Sequence, residues 1–105
     1  MTSPDFDKVA GFDWDVGNFM KSERHGVSPG ESEQVFVNEP LVVLEDAAHS
    51  RNEARWNALG RTNEGRLLHV TFTLRAEGTR VRVISARPMH RRERAVYERA
   101  SEADS

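Results

Sequence analysis

The stretch "RLLHVTFTLR", residues 66–75, constrains the fold more than any other part of the chain. Its side chains alternate strictly. Leu68, Val70, Phe72 and Leu74 fall on one side, and Leu67, His69, Thr71 and Thr73 on the other. A period of two is the mark of a β-strand, whose successive side chains point to opposite faces. A strand needs partners to be stable. "NEG" (63–65) and "AEGT" (76–79) flank it as turns, with glycine free to take the positive φ that tight turns require. Beyond the turns, "ARWNALGRT" (54–62) and "RVRVISAR" (80–87) alternate as well. These three segments predict an antiparallel meander, and the β-rich "LVVLED" (41–46) a fourth strand.

Helix signals surround the strands. Asp15 is placed to cap a helix running to about His25, with Gly26 as its stop. "SPGE" (28–31) starts a second helix: Ser28 as N-cap, Pro29 as the first helical residue and Glu31 completing a capping box. That helix ends before Asn38 and Pro40. Pro88 closes the last strand, and "HRRERAVYERA" (90–100) is helical. "FDWD" (12–15) alternates apolar and acidic residues and reads as a strand or an extended segment, and "AAHSRNE" (47–53) as a loop. The expectation is an α+β domain of order α-α-β-β-β-β-α. It has a small four-stranded antiparallel sheet, two N-terminal helices and a C-terminal helix, all on one sheet face. The other face is left to solvent or a partner. At 105 residues one domain is expected, over 12–100, with a flexible leader (1–11) and tail (101–105).

Composition narrows the function. No cysteine is present, which removes disulfides and thiolate metal sites. No apolar run reaches the ~18 residues of a membrane span. "MTSPDFDKVAG" has neither the basic nor the apolar region of a signal peptide, so a cytoplasmic location is expected. The formal net charge is -2, but it is uneven: residues 1–53 hold 11 acidic and 4 basic side chains, and residues 54–105 hold 6 acidic and 11 basic. Arginine outnumbers lysine 13 to 2. Arginine forks onto phosphate and carboxylate alike, so an anionic partner is indicated, either nucleic acid or an acidic protein surface.

Three sets of residues, in order, carry a family resemblance: "FDWD…N..K…RHGVS…E.VF", then "D.AHS…R…LGRT..GRLL.V.FTLR", then "RVISAR.MHRRE…YE". Together they resemble the BrnT toxin family, bacterial type II toxins paired with a BrnA-type antitoxin. The resemblance covers Phe12 to about Glu98. It implies a RelE-like ribonuclease fold and inhibition of translation through RNA cleavage. It further implies a neutralising complex with a small DNA-binding antitoxin, as a toxin–antitoxin heterotetramer that meets operator DNA only through the antitoxin. One departure stands out: toxins of this fold are usually basic, and this chain is net acidic.

RNA can be cut without a metal when the ribose 2′-hydroxyl attacks the adjacent phosphorus. The reaction needs a base, cations for the anionic transition state and an acid for the leaving oxygen. No cofactor is expected. Asp46 and His49 have only a weak metal-like spacing, so no metal site is assigned. Arg55 and Arg61 share parity on one strand. The resemblance singles out Arg61 in "LGRT" and Arg87 in "ISAR" as the phosphate-holding pair. Ion pairing with Glu93 is the competing role for Arg87. Lys21 and His25, four residues apart on one helix face, are candidates for proton transfer or phosphate contact. A histidine at a helix C-terminus also stabilises the helix by charge alone. Arg55, Arg82, His49 and Arg91 are further candidate RNA contacts, with surface ion pairing or loop hydrogen bonding as the alternative. Arg82 and Arg87 have opposite parity, so a regular strand sends them to opposite faces unless a bulge near 85–86 intervenes. Trp14, Trp56 and Phe72 suit base stacking, but period-two aromatics are better explained by a core. A different class of function also fits: a non-catalytic, antitoxin-binding co-repressor whose arginines meet acidic side chains. So does a plain solvated final helix.

Overall fold

The computed structural model describes residues 3–103. A five-stranded mixed sheet forms its centre, with strands β1 (Gly11–Phe12), β2 (Val42–Glu45), β3 (Trp56–Arg61), β4 (Leu67–Arg75) and β5 (Arg80–Pro88) in the order β1-β5-β4-β3-β2. Helices α1 (Val16–Glu23) and α2 (Pro29–Val37) precede β2, and α3 (Arg91–Ala103) follows β5. Short 3-10 turns occur at Phe6–Lys8 and Ala47–His49.

Both predicted caps are in place. The Asp15 carboxylate accepts from the Asn18 amide, and the Asn18 side chain accepts from the Asp15 amide. Ser28 and Glu31 make the same reciprocal pair. At the end of α1, Gly26 takes φ +72. Its amide and that of Val27 bond back to the Glu23 and Ser22 carbonyls, which closes the helix as the sequence predicts.

The main core lies on one sheet face. Trp56, Ala58, Leu68, Val70, Phe72, Val81, Val83 and Ala86 are buried there against Val27 and Val35. Phe36 meets Phe72 edge-on at 5.0 Å, and Trp56 stacks on Phe72 at 5.6 Å. Trp56 and Phe72 are therefore core residues. The Trp14 indole donates to Glu33 Oε2 at 2.8 Å and ties the start of α1 to α2.

Four expectations need correction. The sheet has five strands and is not purely antiparallel, because Gly11–Phe12 pairs in parallel with Arg80 and Val81. Phe12 opens the segment read as a strand or extended, but a two-residue strand is too short for its pairing to be read from the sequence. The expected domain boundary at residue 12 falls inside packed structure: Phe6 lies 6.0 Å from Phe36 and 5.9 Å from Phe72. At the other end, α3 continues to Ala103, past the expected limit of residue 100. Finally, the helices do not share one face. Tyr97 of α3 packs with Leu59, Met89, Leu67 and Val42 in a second cluster on the opposite side of the sheet. Leu59 and Leu67 sit in the otherwise polar rows of their strands, and this apolar pair is what α3 covers.

Candidate functional site

The sheet face partly covered by α3 remains open over its other half. Asn57, Thr71 and Ser85 lie side by side there by strand register, and the Thr71 hydroxyl donates to Asn57 Oδ1 at 2.8 Å. The cationic side chains of β5 reach this face because of a bulge. Thr71 pairs with Ser85, but Phe72 pairs with Val83, so Ile84 is an extra residue. Arg82 opposite Thr73 and Arg87 opposite His69 therefore emerge on the same side, which corrects the parity expected for a regular strand.

Helix α1 lies along the edge of β5 that β1 leaves free. Buried Asn18 fastens it there, donating through Nδ2 to the Val83 carbonyl at 2.7 Å and the Asp13 carbonyl at 2.9 Å. This brings Lys21 over the open face. Lys21, Gly17 and Asn18 from α1, Arg55 and Glu53 from the approach to β3, Arg75 from the end of β4, and Arg82 and Ile84 from β5 line one cleft of about 290 Å³. Four cations and one carboxylate face it. Arg82 is held on one flank by Asp15 at 3.0 Å and Asp13 at 3.5 Å. The Asn18 amide is the main reason the Asp15 carboxyl sits below the usual range; desolvation opposes it, and Arg82 adds to the lowering. Arg75 meets Glu53 at 3.1 Å. Arg55 Nε is buried and makes no hydrogen bond among the described residues. A smaller hollow of about 200 Å³ adjoins this cleft and shares Glu53 and Arg55 with it; His49, Arg51 and Asn52 complete it. His49 Nδ1 lies 3.0 and 3.1 Å from the two Asp46 carboxylate oxygens.

The structure thus gathers Lys21, Arg55 and Arg82, with His49 next door, from among the sequence-predicted residues. It does not bring the others to the same place. Arg61 ends β3 at the far side, lining a separate hollow with Asn38, Thr62, Asn63 and Gly65. It lies close enough to Tyr97 to counter part of the upward push that burial gives the phenol. Arg87 grips Glu93 with two bonds of 2.8 Å, the ion-pair role anticipated as its alternative. Those bonds hold the Glu93 carboxyl down at about 2, against the opposing effect of burial, and the His90 amide adds to them. His69 lies beneath, 3.7 Å from Glu93, its imidazole pKa lowered first by burial and then by Arg87. His25 stands exposed in the turn after α1, and Arg91 exposed at the start of α3. Neither lines the cleft.

Sequence reasoning does not find Arg75 or Glu53. Arg75 has the parity of Thr73 and Thr71, so the alternation of its strand already pointed it to the open face. Glu53 precedes β3 in a loop without periodicity, and nothing local marks it. Among the described residues, no three His, Asp or Glu side chains are gathered as a metal site would need, and no helix is long and apolar enough to cross a membrane.

A comparison with curated proteins finds no match. A comparison with protein families finds one, described as the ribonuclease toxin BrnT of type II toxin–antitoxin systems, over residues 14–93. That span takes in α1, α2, β2 to β5 and the first turn of α3, and with them every residue of the cleft. The chain belongs to the BrnT family of type II ribonuclease toxins.

Proposed function

We propose that this protein is an endoribonuclease that needs no metal ion, that it inhibits translation in the cytoplasm by cutting RNA, and that Lys21, Arg55 and Arg82 grip the scissile phosphate. A small DNA-binding antitoxin of the BrnA type neutralises it, in a heterotetramer that reaches operator DNA through the antitoxin alone. The supporting observation is the convergence of Lys21, Arg55, Arg75 and Arg82, from a helix, two strands and the loop before a third, on one open cleft. Attack by a 2′-hydroxyl concentrates negative charge on the phosphate oxygens, and fixed guanidinium groups stabilise that charge as it forms. The cluster also reconciles an acidic chain with an anionic substrate: the positive potential is local. Asp15 is more than half exposed, so its ion pair with Arg82 is weak and a phosphate can replace it. Arg61, Arg87 and Arg91 then serve as outlying contacts for flanking RNA.

The pairing of cations with carboxylates favours a second reading. Arg75, Arg82 and Arg87 each already hold an acidic side chain, as they would hold an antitoxin's, and the protein would act as a co-repressor without catalysis. End-labelled RNA incubated in EDTA with the parent, Arg55→Ala and Arg61→Ala separates the two. Cleavage by the parent that falls about 100-fold or more in Arg55→Ala, and less in Arg61→Ala, is the expected result. A folded parent that leaves RNA intact while binding its antitoxin supports the co-repressor.

A further inference from the structure

The cleft holds the phosphate-gripping side chains but no histidine, and Lys21 is its one group besides Glu53 able to exchange a proton readily. The chemistry is completed by its neighbour. We propose that His49 and Glu53 are the acid and base of RNA cleavage, with Arg55 holding the phosphate where the two hollows meet. This rests on the ribonuclease reading above.

Three observations carry it. Glu53 and Arg55 line both hollows, so a phosphate seated on Arg55 has Glu53 beside it and His49 within the smaller space of about 200 Å³. Asp46, itself 15% exposed, engages only Nδ1 of His49, and the imidazole is 68% exposed with Nε2 free of hydrogen bonds among the described residues. A carboxylate on one ring nitrogen fixes the tautomer and leaves the other nitrogen to transfer a proton. Glu53 holds Arg75 through Oε1 at 3.1 Å, and Oε2 makes no hydrogen bond among the described residues.

The step balances within these groups. Glu53 takes the proton of the 2′-hydroxyl as the 2′-oxygen forms its bond to phosphorus. The bond from phosphorus to the 5′-oxygen breaks. The His49 imidazolium gives its Nε2 proton to that oxygen, leaving a 2′,3′-cyclic phosphate and a 5′-hydroxyl. Solvent then returns the proton from Glu53 to His49. Asp46 acts as a positioning residue. Besides Asp46, the charged groups around His49 are Arg51, Glu53 and Arg55.

The test uses the full chain, a short RNA, and the same RNA with sulfur in place of the scissile 5′-oxygen. Thiolate leaves without an acid. His49→Ala is expected to lose about 100-fold or more on the oxygen substrate and to recover most of that on the sulfur substrate. Glu53→Gln is expected to lose a similar factor on both. Asp46→Asn is expected to lose a smaller factor on the oxygen substrate and to recover it on the sulfur substrate, because its carboxylate only positions the acid. An equal loss on both substrates in His49→Ala, or full activity in either main variant, overturns the assignment while leaving the ribonuclease reading intact. A parent that cuts neither substrate overturns both.

Discussion

Gly60→Ala tests how the two halves of the fold meet. Gly60 lies on β3, in "LGRT", facing α2. A Cβ built there falls 2.6 Å from Val35 Cγ1 and 3.1 Å from the Val35 carbonyl oxygen. Carbon atoms rest at about 3.5–4.0 Å, so the contact is short by roughly 1 Å. Val35 cannot yield easily. It is fully buried, its branched side chain has one favoured rotamer in a helix, and the carbonyl belongs to the backbone of α2. The helix must lift from the sheet. Overpacking of this kind costs about 1–3 kcal/mol, offset by the ~0.5–1 kcal/mol that alanine gains over glycine in the strand. The net is ~1–2 kcal/mol, or a Tm lower by roughly 5–15 °C for a domain of this size. Urea unfolding followed by circular dichroism measures it, and an unchanged m-value confirms that stability alone has moved. Val35→Ala alone should cost about 2–3 kcal/mol by opening a cavity. In the double variant the new methyl enters that cavity, so the two costs should fall short of their sum by at least ~1 kcal/mol. Simple additivity, or a Gly60→Ala protein as stable as its parent, would refute the close-approach argument.

Three further outcomes are expected. Because the folded Glu93 carboxyl titrates at about 2 and its ordinary value is 4.5, its contribution is complete above the ordinary value and disappears as pH falls through about 2. The two values set a ceiling of ~3 kcal/mol at 1.36 kcal/mol per pH unit, so Glu93→Gln should be less stable than the parent by about 1–3 kcal/mol at pH 7, and urea unfolding should show the gap closing toward pH 2–3. Asn18→Ala strips the Val83 and Asp13 carbonyls of their donor and removes half of a capping box; a loss of about 2–4 kcal/mol is expected by thermal unfolding, and a loss under 1 kcal/mol would mean α1 is held by other contacts. Lys21→Ala should lower the slope of log affinity against log salt by ~0.7 for a 2′-O-methyl RNA that cannot be cut, since one phosphate contact on a single strand is lost.

What was legible follows from how far each signal reaches along the chain. The caps at Asp15 and Ser28 are decided within four residues, and the strands by alternation over six to nine, so both could be read directly. The side of the sheet taken by α3 is set by Leu59 and Leu67, two apolar residues in polar rows; the signal was present, but only strand register puts them side by side. The site is longer in range still. Lys21, Arg55, Arg75 and Arg82 come from three elements and a loop, and only the docking of α1 through Asn18 sets Lys21 opposite the arginines. Arg61 drew its weight from the resemblance, and it lines a hollow apart from the cleft that Lys21, Arg55, Arg75 and Arg82 share.

The bulge at Ile84 shows how a local irregularity decides the character of a whole face. The buried residues of β5 are Val81, Val83 and Ala86, spaced two and then three apart. A regular strand cannot bury all three on one side. If it kept Val81 and Val83 inward, Arg87 would be driven into the apolar cluster around Val70 and Leu68, where an unpaired guanidinium costs several kcal/mol. One extra residue resolves the conflict: Ala86 turns in and Arg87 turns out, onto the side that Arg82 already occupies. The step from two to three in the apolar spacing is therefore the sequence signature of the bulge. Charge burial, more than strand propensity, requires the arginines of "RVRVISAR" to share the open face.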